Sequence, residues 1–402
     1  MRKSLWLLGL VCFIALLQLT RYHLDFRQAI DWVQATDVSS YSLIANYAFD
    51  TPVKLEFHFA QRWVPHYIVG VLARTIGCDI HLSYAILNAL VISLIAYSAK
   101  RLLISDRANN DLGFLILLLF LFSAYTFRLY VFVPGLFADL VYLLGVAIAL
   151  LGCRRQKIFL VIIGLVVATL GKQFSILVLP GILVYIFAVW GKSQGRIGAI
   201  KLSMLAIGAV LGTLWLVTLT SESFSLENSI TPDKWFAIIT FFTSENFTAR
   251  LLGFHLLRIA APLAPFLLIW VLLPMSRRER FRYLLSWESL ALLLIVLGPI
   301  TYAFLPGPIL QMGNQSRYVA ASALPLALLV VRISPPITVT LRVFDWIVIP
   351  IVLLLISYHH RYTLIQGDTA AFATTQFTGL AILGVWAIWH RRRLSLVRAR
   401  EL

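Results

Sequence analysis

Four polar groups interrupt the long apolar stretches of this chain, and each carries side chains suited to handling protons or phosphate. The first is Asp37-Val-Ser-Ser-Tyr41-Ser-Leu-Ile-Ala45, followed by Asp50, Glu56, His58, Arg62 and His66. A carboxylate such as Asp37, held just outside a bilayer between two spans, can take a proton from an acceptor or hold a cation. Its simpler use is to cap a helix that begins at Val38, because an aspartate oxygen accepts the first free backbone N–H groups. His58 and His66 are too far apart for a helical ligand pair and have no third companion. They are expected to meet carboxylates, phosphates or aromatic rims instead of a metal.

The second group runs from Arg128-Leu-Tyr130 through Pro134-Gly135 to Asp139, at the mouth of an apolar helix. Asp139 either caps that helix or pairs with Arg128, or it joins Asp37 as the second acid of a two-carboxylate site. The third is Lys172-Gln173, where the lysine meets an anion such as a lipid phosphate or snorkels at a helix end. The fourth is Gln311-Met-Gly-Asn314-Gln315-Ser316-Arg317-Tyr318. A guanidinium offers a fork of donors matched to phosphate oxygens; the competing partner for Arg317 is a carboxylate such as Glu227 or Asp233.

The elements that position these groups are membrane helices. Of 402 residues, 60% are hydrophobic and only 13% charged, with mean hydropathy +0.86. A soluble chain of this length is roughly half apolar and a quarter charged. The formal charge of +16 is dispersed in short Lys/Arg clusters between apolar stretches, a topology signal and not a nucleic-acid surface. Three cysteines, Cys12, Cys78 and Cys153, give an odd number without CxxC spacing, so neither a disulfide framework nor a zinc site is expected. The apolar N-terminus resembles a signal peptide but lacks a small-residue cleavage site, and it reads as a retained first span.

Spans are expected near 4–21, 80–99, 112–130, 135–153, 157–171, 174–191, 199–219, 251–274, 286–305, 318–333, 344–358 and 374–390, twelve in all, of which the fifth and sixth are short. The fold class expected is an all-α polytopic membrane protein forming one transmembrane domain over residues 1–402. With both termini in the cytoplasm, every basic cluster falls inside, including Arg154-Arg155, Arg277 to Arg282 and Arg391 to Arg393. Lys172 and Arg317 then lie outside, against that trend, which calls for local anionic partners. The outer face carries a long segment, 22–79, and a second loop, 220–250. Aromatic residues and helical spacing in 22–79 predict short amphipathic helices on the membrane surface. The run from Trp63 to Ala73 reads as an interfacial helix leading into the second span.

In this order and on one side of the membrane, the four groups resemble the GT-C glycosyltransferase superfamily, whose relatives include lipid A aminoarabinose transferases and protein O-mannosyltransferases. Asp37-xxx-Tyr41-xx-Ile44-Ala45 is similar to that family's Asp-xxx-Tyr-xx-Ile-Ala pattern. Arg62-Trp-Val-Pro65-His66-Tyr, with Leu72 and Gly77, is similar to its Pro-containing helix. Asp139 stands where its second outer loop often carries an acid. Gly171-Lys172-Gln173 resembles a Lys-Glu stretch, with Gln in place of Glu, and Arg317-Tyr318 followed by Pro325 resembles a late Arg-Tyr…Pro pattern. The likeness covers roughly residues 1–190 and 311–325, without the soluble C-terminal domain of oligosaccharyltransferases.

The resemblance implies transfer of a sugar from a polyprenyl-phosphate donor, usually with inversion, to a lipid, glycan or protein acceptor outside a bacterial cell membrane. It implies that Asp37 deprotonates the acceptor, that Asp139 orients it, positions Asp37 or helps hold a divalent cation, and that Lys172 and Arg317 meet the donor phosphate. Tyr41, His58, Arg62, His66 and Tyr318 then contact substrate, and whether a metal takes part stays open. The competing classes are a secondary transporter, whose charges belong near the bilayer midplane, and an O-antigen-type polymerase or ligase, whose main outer loop comes later in the chain.

Overall fold

The computed structural model describes residues 35–52, 54–104, 110–226, 249–272, 277–304, 315–333, 344–359 and 368–401. The expected span 4–21, most of the loop 220–250 and residues 311–314 lie outside them. The described chain is almost entirely helical, and among the described residues the β-structure amounts to one bridge between Leu55 and Ser225.

The 22–79 segment contributes α1 (Ala35–Tyr47), α2 (Phe57–Ala60) and α3 (Trp63–Ile76). Gly77 ends α3 at φ +70°, a left-handed turn that favours glycine, and two residues later Asp79 caps α4 (Ile80–Leu103) by accepting the His81 N–H at 3.2 Å. Next come α5 (Asn110–Phe122), a π turn (Ala124–Arg128), α6 (Leu129–Phe132), α7 (Phe137–Arg155) and α8 (Ile158–Gly171). A 3-10 turn (Gln173–Leu177) leads into α9 (Leu179–Tyr185), and a π turn (Ile186–Trp190) into α10 (Gly191–Ser221). The remainder is α11 (Ala249–Ala260), α12 (Ala264–Leu272), α13 (Arg277–Leu284), α14 (Trp287–Phe304), α15 (Gln315–Val319), α16 (Ala323–Ile333), α17 (Asp345–Ser357) and α18 (Thr369–Glu401).

Among the described residues, five helical runs are long and apolar enough to cross a membrane: Ile80–Leu103, Pro134–Arg155, Gln173–Ser221, Gln315–Ile333 and Ala370–His390. Leu112–Phe122 and Ala124–Phe132, bent by 40°, make a sixth if they form one span. Ile158–Gly171, Trp287–Ala303 and Ile347–Ser357 are apolar but shorter. The run Gln173–Ser221 breaks into two arms at Gly195, where φ is +72° and ψ 166°. Expected stretches 174–191 and 199–219 fall on those arms, and Lys192 and Arg196 flank the break.

Leu82, Ile86, Leu90, Leu94 and Tyr97 recur every three or four residues along α4 and stand exposed. An apolar stripe of that kind suits lipid and would be a liability in water. The protein is a helical membrane protein. Its inner helices are α7 and the α15–α16 run, which are mostly enclosed, while α4 and α18 are peripheral.

Glycines set the seam between α7 and α8. A Cβ at Gly145 would stand 2.2 Å from Ala168 N, and one at Gly164 would stand 2.3 Å from Ala149 N. A Cβ at Gly152 would stand 2.6 Å from Val161 N, and one at Gly171 would stand 2.5 Å from Tyr142 N. Small residues let helix backbones touch where lipid provides no hydrophobic drive. Pairs that climb one helix as they descend the other define an antiparallel hairpin, which sets the first turn of α7 beside the end of α8. A second close crossing, of Gly298 in α14 with the Leu177 carbonyl, brings α14 against the 3-10 turn.

The outer segments also touch. The Leu55 N–H donates to the Phe224 carbonyl at 3.0 Å, Gln61 donates to Thr218 at 2.9 Å, and the Trp63 indole donates to Thr220 at 2.9 Å. At the far end of the chain, α17 and α18 are tied by a buried carboxylate: Asp345 accepts from the Trp386 indole at 2.8 Å and pairs with His390 at 2.9 Å. Nothing in the apolar patterning marked this trio, although an acid and a histidine in membrane helices are themselves a signal.

Candidate functional site

Three ends meet at the head of the α7–α8 hairpin. Asp139 is in the first turn of α7, Lys172 follows the last residue of α8, and Arg317 is in α15. The glycine seam sets the first two opposite each other. Arg317 is carried in by α15, whose Ser316 hydroxyl donates to the Arg258 carbonyl at 2.7 Å, while Ser322 just beyond donates to the Val296 carbonyl at 2.6 Å.

Lys172 Nζ lies 2.7 Å from Asp139 Oδ1, and Arg317 Nε lies 2.9 Å from Oδ2. The second contact is an ion pair more than an aligned hydrogen bond, since its atoms are close but poorly directed. All three side chains are almost fully buried. Lys172 Nζ also sits 4.1 Å from the centroid of the Tyr318 ring and 5.1 Å from that of Phe174, and the Arg317 guanidinium lies 5.0 Å from the Tyr318 ring. Phe174 stacks on Tyr302 at 4.1 Å, and Tyr302 meets Tyr318 edge-on at 5.1 Å.

A second layer comes from α1, α3 and α4. Arg62 Nη1 donates to the Tyr41 hydroxyl at 2.6 Å, and the Tyr41 ring stacks on His66 at 4.0 Å. His66 Nδ1 is 2.7 Å from the Tyr84 hydroxyl, which is 3.5 Å from the Tyr41 carbonyl. Gly70 permits this crossing, because a Cβ there would stand 1.9 Å from the Ala45 carbonyl oxygen. Arg62 is within electrostatic range of Asp139, Tyr302 and Tyr318, which joins the two layers.

Asp139, Lys172, Arg317 and Tyr318 therefore come together, with Tyr41, Arg62 and His66 beside them. The contacts of His58 described here run to Glu56, at 3.3 Å, and to the Phe59 ring, and its side chain is half exposed. Asp37 is in α1, one turn before Tyr41; its side chain lies outside the described ones. Ala35 and Thr36 are already helical, so Asp37 does not cap a helix beginning at Val38. Asp139 does not pair with Arg128, which donates to the Ser357 carbonyl instead. Lys172 is not a snorkelling lysine: it is enclosed and ion-paired.

Sequence reasoning passed over Tyr84 and Tyr302. Tyr84 and Asn88, one turn apart in an apolar span, formed a readable signal; Asn88 donates to the Pro134 carbonyl at 3.1 Å. Among the described residues, no group of three His, Cys, Asp or Glu side chains is placed to hold a metal, and Cys78 and Cys153 are free thiols.

Electrostatically, Asp139 is the carboxylate that the described side chains supply to this centre. It faces the two cations that touch it and a third, Arg62, at longer range. Burial pushes the Lys172 ammonium well below the usual lysine range; Asp139 opposes that, while Arg317 and Arg62 add to it. A bound anion would restore the ammonium. Arg317 and Lys172 suit phosphate oxygens in particular, as fork and point charge. No family model, curated protein or solved structure matches this chain.

Proposed function

We propose that this protein is a membrane glycosyltransferase that moves a sugar from a polyprenyl-phosphate donor to a lipid, glycan or protein acceptor on the outer face of a cell membrane. The observation that carries the proposal is the convergence of two buried cations, Lys172 and Arg317, on Asp139 at the helix ends. Lys172 and Arg317 meet the donor phosphate and offset the negative charge that develops on it as the sugar leaves. Asp139 holds those two cations in place, a positioning role different from orienting the acceptor. Asp37 takes the acceptor's proton as its oxygen or nitrogen attacks the anomeric carbon.

The twelve-span arrangement, with 22–79 and 220–250 outside, belongs to the same proposal. It is supported by the positive-inside tendency and by the contacts of residues 55–63 with residues 218–226. A transporter is disfavoured because Asp139, Lys172 and Arg317 stand at helix ends and not at mid-helix.

Incubating the purified protein with a panel of polyprenyl-phosphate sugars, followed by mass spectrometry of lipid and glycan products, tests the reaction. Lys172→Ala and Arg317→Ala are each expected to weaken donor use by roughly one to two decades, the cost of a lost charged hydrogen-bond partner. Arg282→Ala, on exposed α13, should leave it unchanged. Equal losses in all three variants would remove the phosphate assignment.

A further inference from the structure

Arg62 and His66 are one turn apart at the start of α3, both enclosed, and both held by Tyr41. Each has one ring or guanidinium atom left over. His66 Nε2 and Arg62 Nε are buried without a hydrogen-bond partner among the described residues. Buried polar atoms are seldom left so, and two on residues one helical turn apart call for an occupant.

Tyr84 has one hydroxyl proton, and its described contacts include His66 Nδ1 at 2.7 Å and the Tyr41 carbonyl at 3.5 Å. A carbonyl can only accept, so both contacts are hydrogen bonds only when Tyr84 donates to Tyr41 and His66 Nδ1–H donates to Tyr84. The imidazole proton is then on Nδ1, and Nε2 presents a bare lone pair. Arg62 Nε–H, by contrast, is a donor. A phosphate or carboxylate would satisfy Arg62 but turn its oxygens against the Nε2 lone pair. An ammonium would satisfy Nε2 and be repelled by Arg62. A hydroxyl accepts from one and donates to the other.

We infer that Arg62 Nε and His66 Nε2 form a hydroxyl-recognition site for the sugar of the donor. The inference rests on the proposed polyprenyl-phosphate donor: the sugar is bonded directly to the phosphate, and Arg62 is within electrostatic range of Asp139 at the phosphate centre. His66 acts as a positioning residue and not as the base. Burial, reinforced by Arg62, pushes its pKa down to about 3, so it accepts a hydrogen bond without taking the proton.

The test compares binding of undecaprenyl phosphate with binding of its mannosyl, glucosyl and aminoarabinosyl esters to the purified full-length protein. At least one ester is expected to bind roughly tenfold or more tightly than the bare lipid phosphate, the scale of a buried polar pair satisfied. His66→Phe should abolish that preference and leave undecaprenyl phosphate binding unchanged, which also shows that the variant is folded. If His66→Phe loses both kinds of lipid, Tyr84→Phe decides, since it keeps the ring and removes only the hydroxyl that sets the tautomer. A preference that survives in the deciding variant, or no ester preferred by the unaltered protein, would overturn the hydroxyl site and leave a buried water as its occupant. Failure of undecaprenyl phosphate itself to bind would overturn the donor-phosphate reading, and this inference with it.

Discussion

Asp139→Asn is expected to destabilise the folded protein by about 3–5 kcal/mol, the usual cost of removing one member of a buried ion pair. The asparagine keeps the size and leaves no cavity, so the loss isolates the charge. Lys172 at 2.7 Å and Arg317 at 2.9 Å lose this carboxylate together, while the guanidinium of Arg62 continues to repel the lysine. Lysine can relieve this by releasing its proton; arginine cannot. Adding Lys172→Met should therefore recover part of the loss and leave the Arg317 share, giving a non-additive double-mutant cycle. Thermal unfolding in detergent measures both. A single-mutant cost below about 1 kcal/mol, the scale of an exposed ion pair, would mean that the three charges do not form the centre described here.

Turnover should collapse on Asp37→Asn with far less change in stability. Asparagine can still accept a hydrogen bond through its amide oxygen, but it cannot take the acceptor's proton. General-base assistance is commonly worth about a hundred- to ten-thousand-fold, so at least two decades in rate should go. Because α1 already includes Ala35 and Thr36, Asp37 has no N-cap at Val38 to lose. Asp31→Asn, six residues earlier in the chain, is the control and should be nearly silent. Transferase activity of Asp37→Asn within a few-fold of the unaltered protein would remove Asp37 from the chemistry.

Much of the helical framework was legible, because a membrane helix must satisfy its own backbone and so declares itself as an apolar run. The stretches expected at 80–99, 135–153, 318–333 and 374–390 fall on runs long and apolar enough to cross a membrane, while 174–191 and 199–219 share one run broken at Gly195. Charge partners were not legible. Arg128 and Asp139 are close in sequence, yet Asp139 chose Lys172 and Arg317, because the glycine seam of α7 and α8 fixes which residues stand opposite. Periodicity reports the face a residue occupies, not the register of its neighbour. The tie of Asp345 to Trp386 and His390 was missed for the same reason: its members belong to two helices whose pairing no local pattern encodes.

The glycine seam also bears on the order of assembly. α7 and α8 are joined by the short turn at Gln156-Lys157, so their closure is local and needs no distant partner. Asp139 and Lys172 can neutralise each other as the hairpin enters the membrane, before the helix bearing Arg317 has been synthesised. Neither charge then has to face lipid alone, where an isolated ion is costly. Gly164→Leu, which wedges the seam open, should accordingly reduce the yield of inserted protein much more than Gly208→Leu, where a side chain meets open space. Equal yields would show that the hairpin does not have to close early.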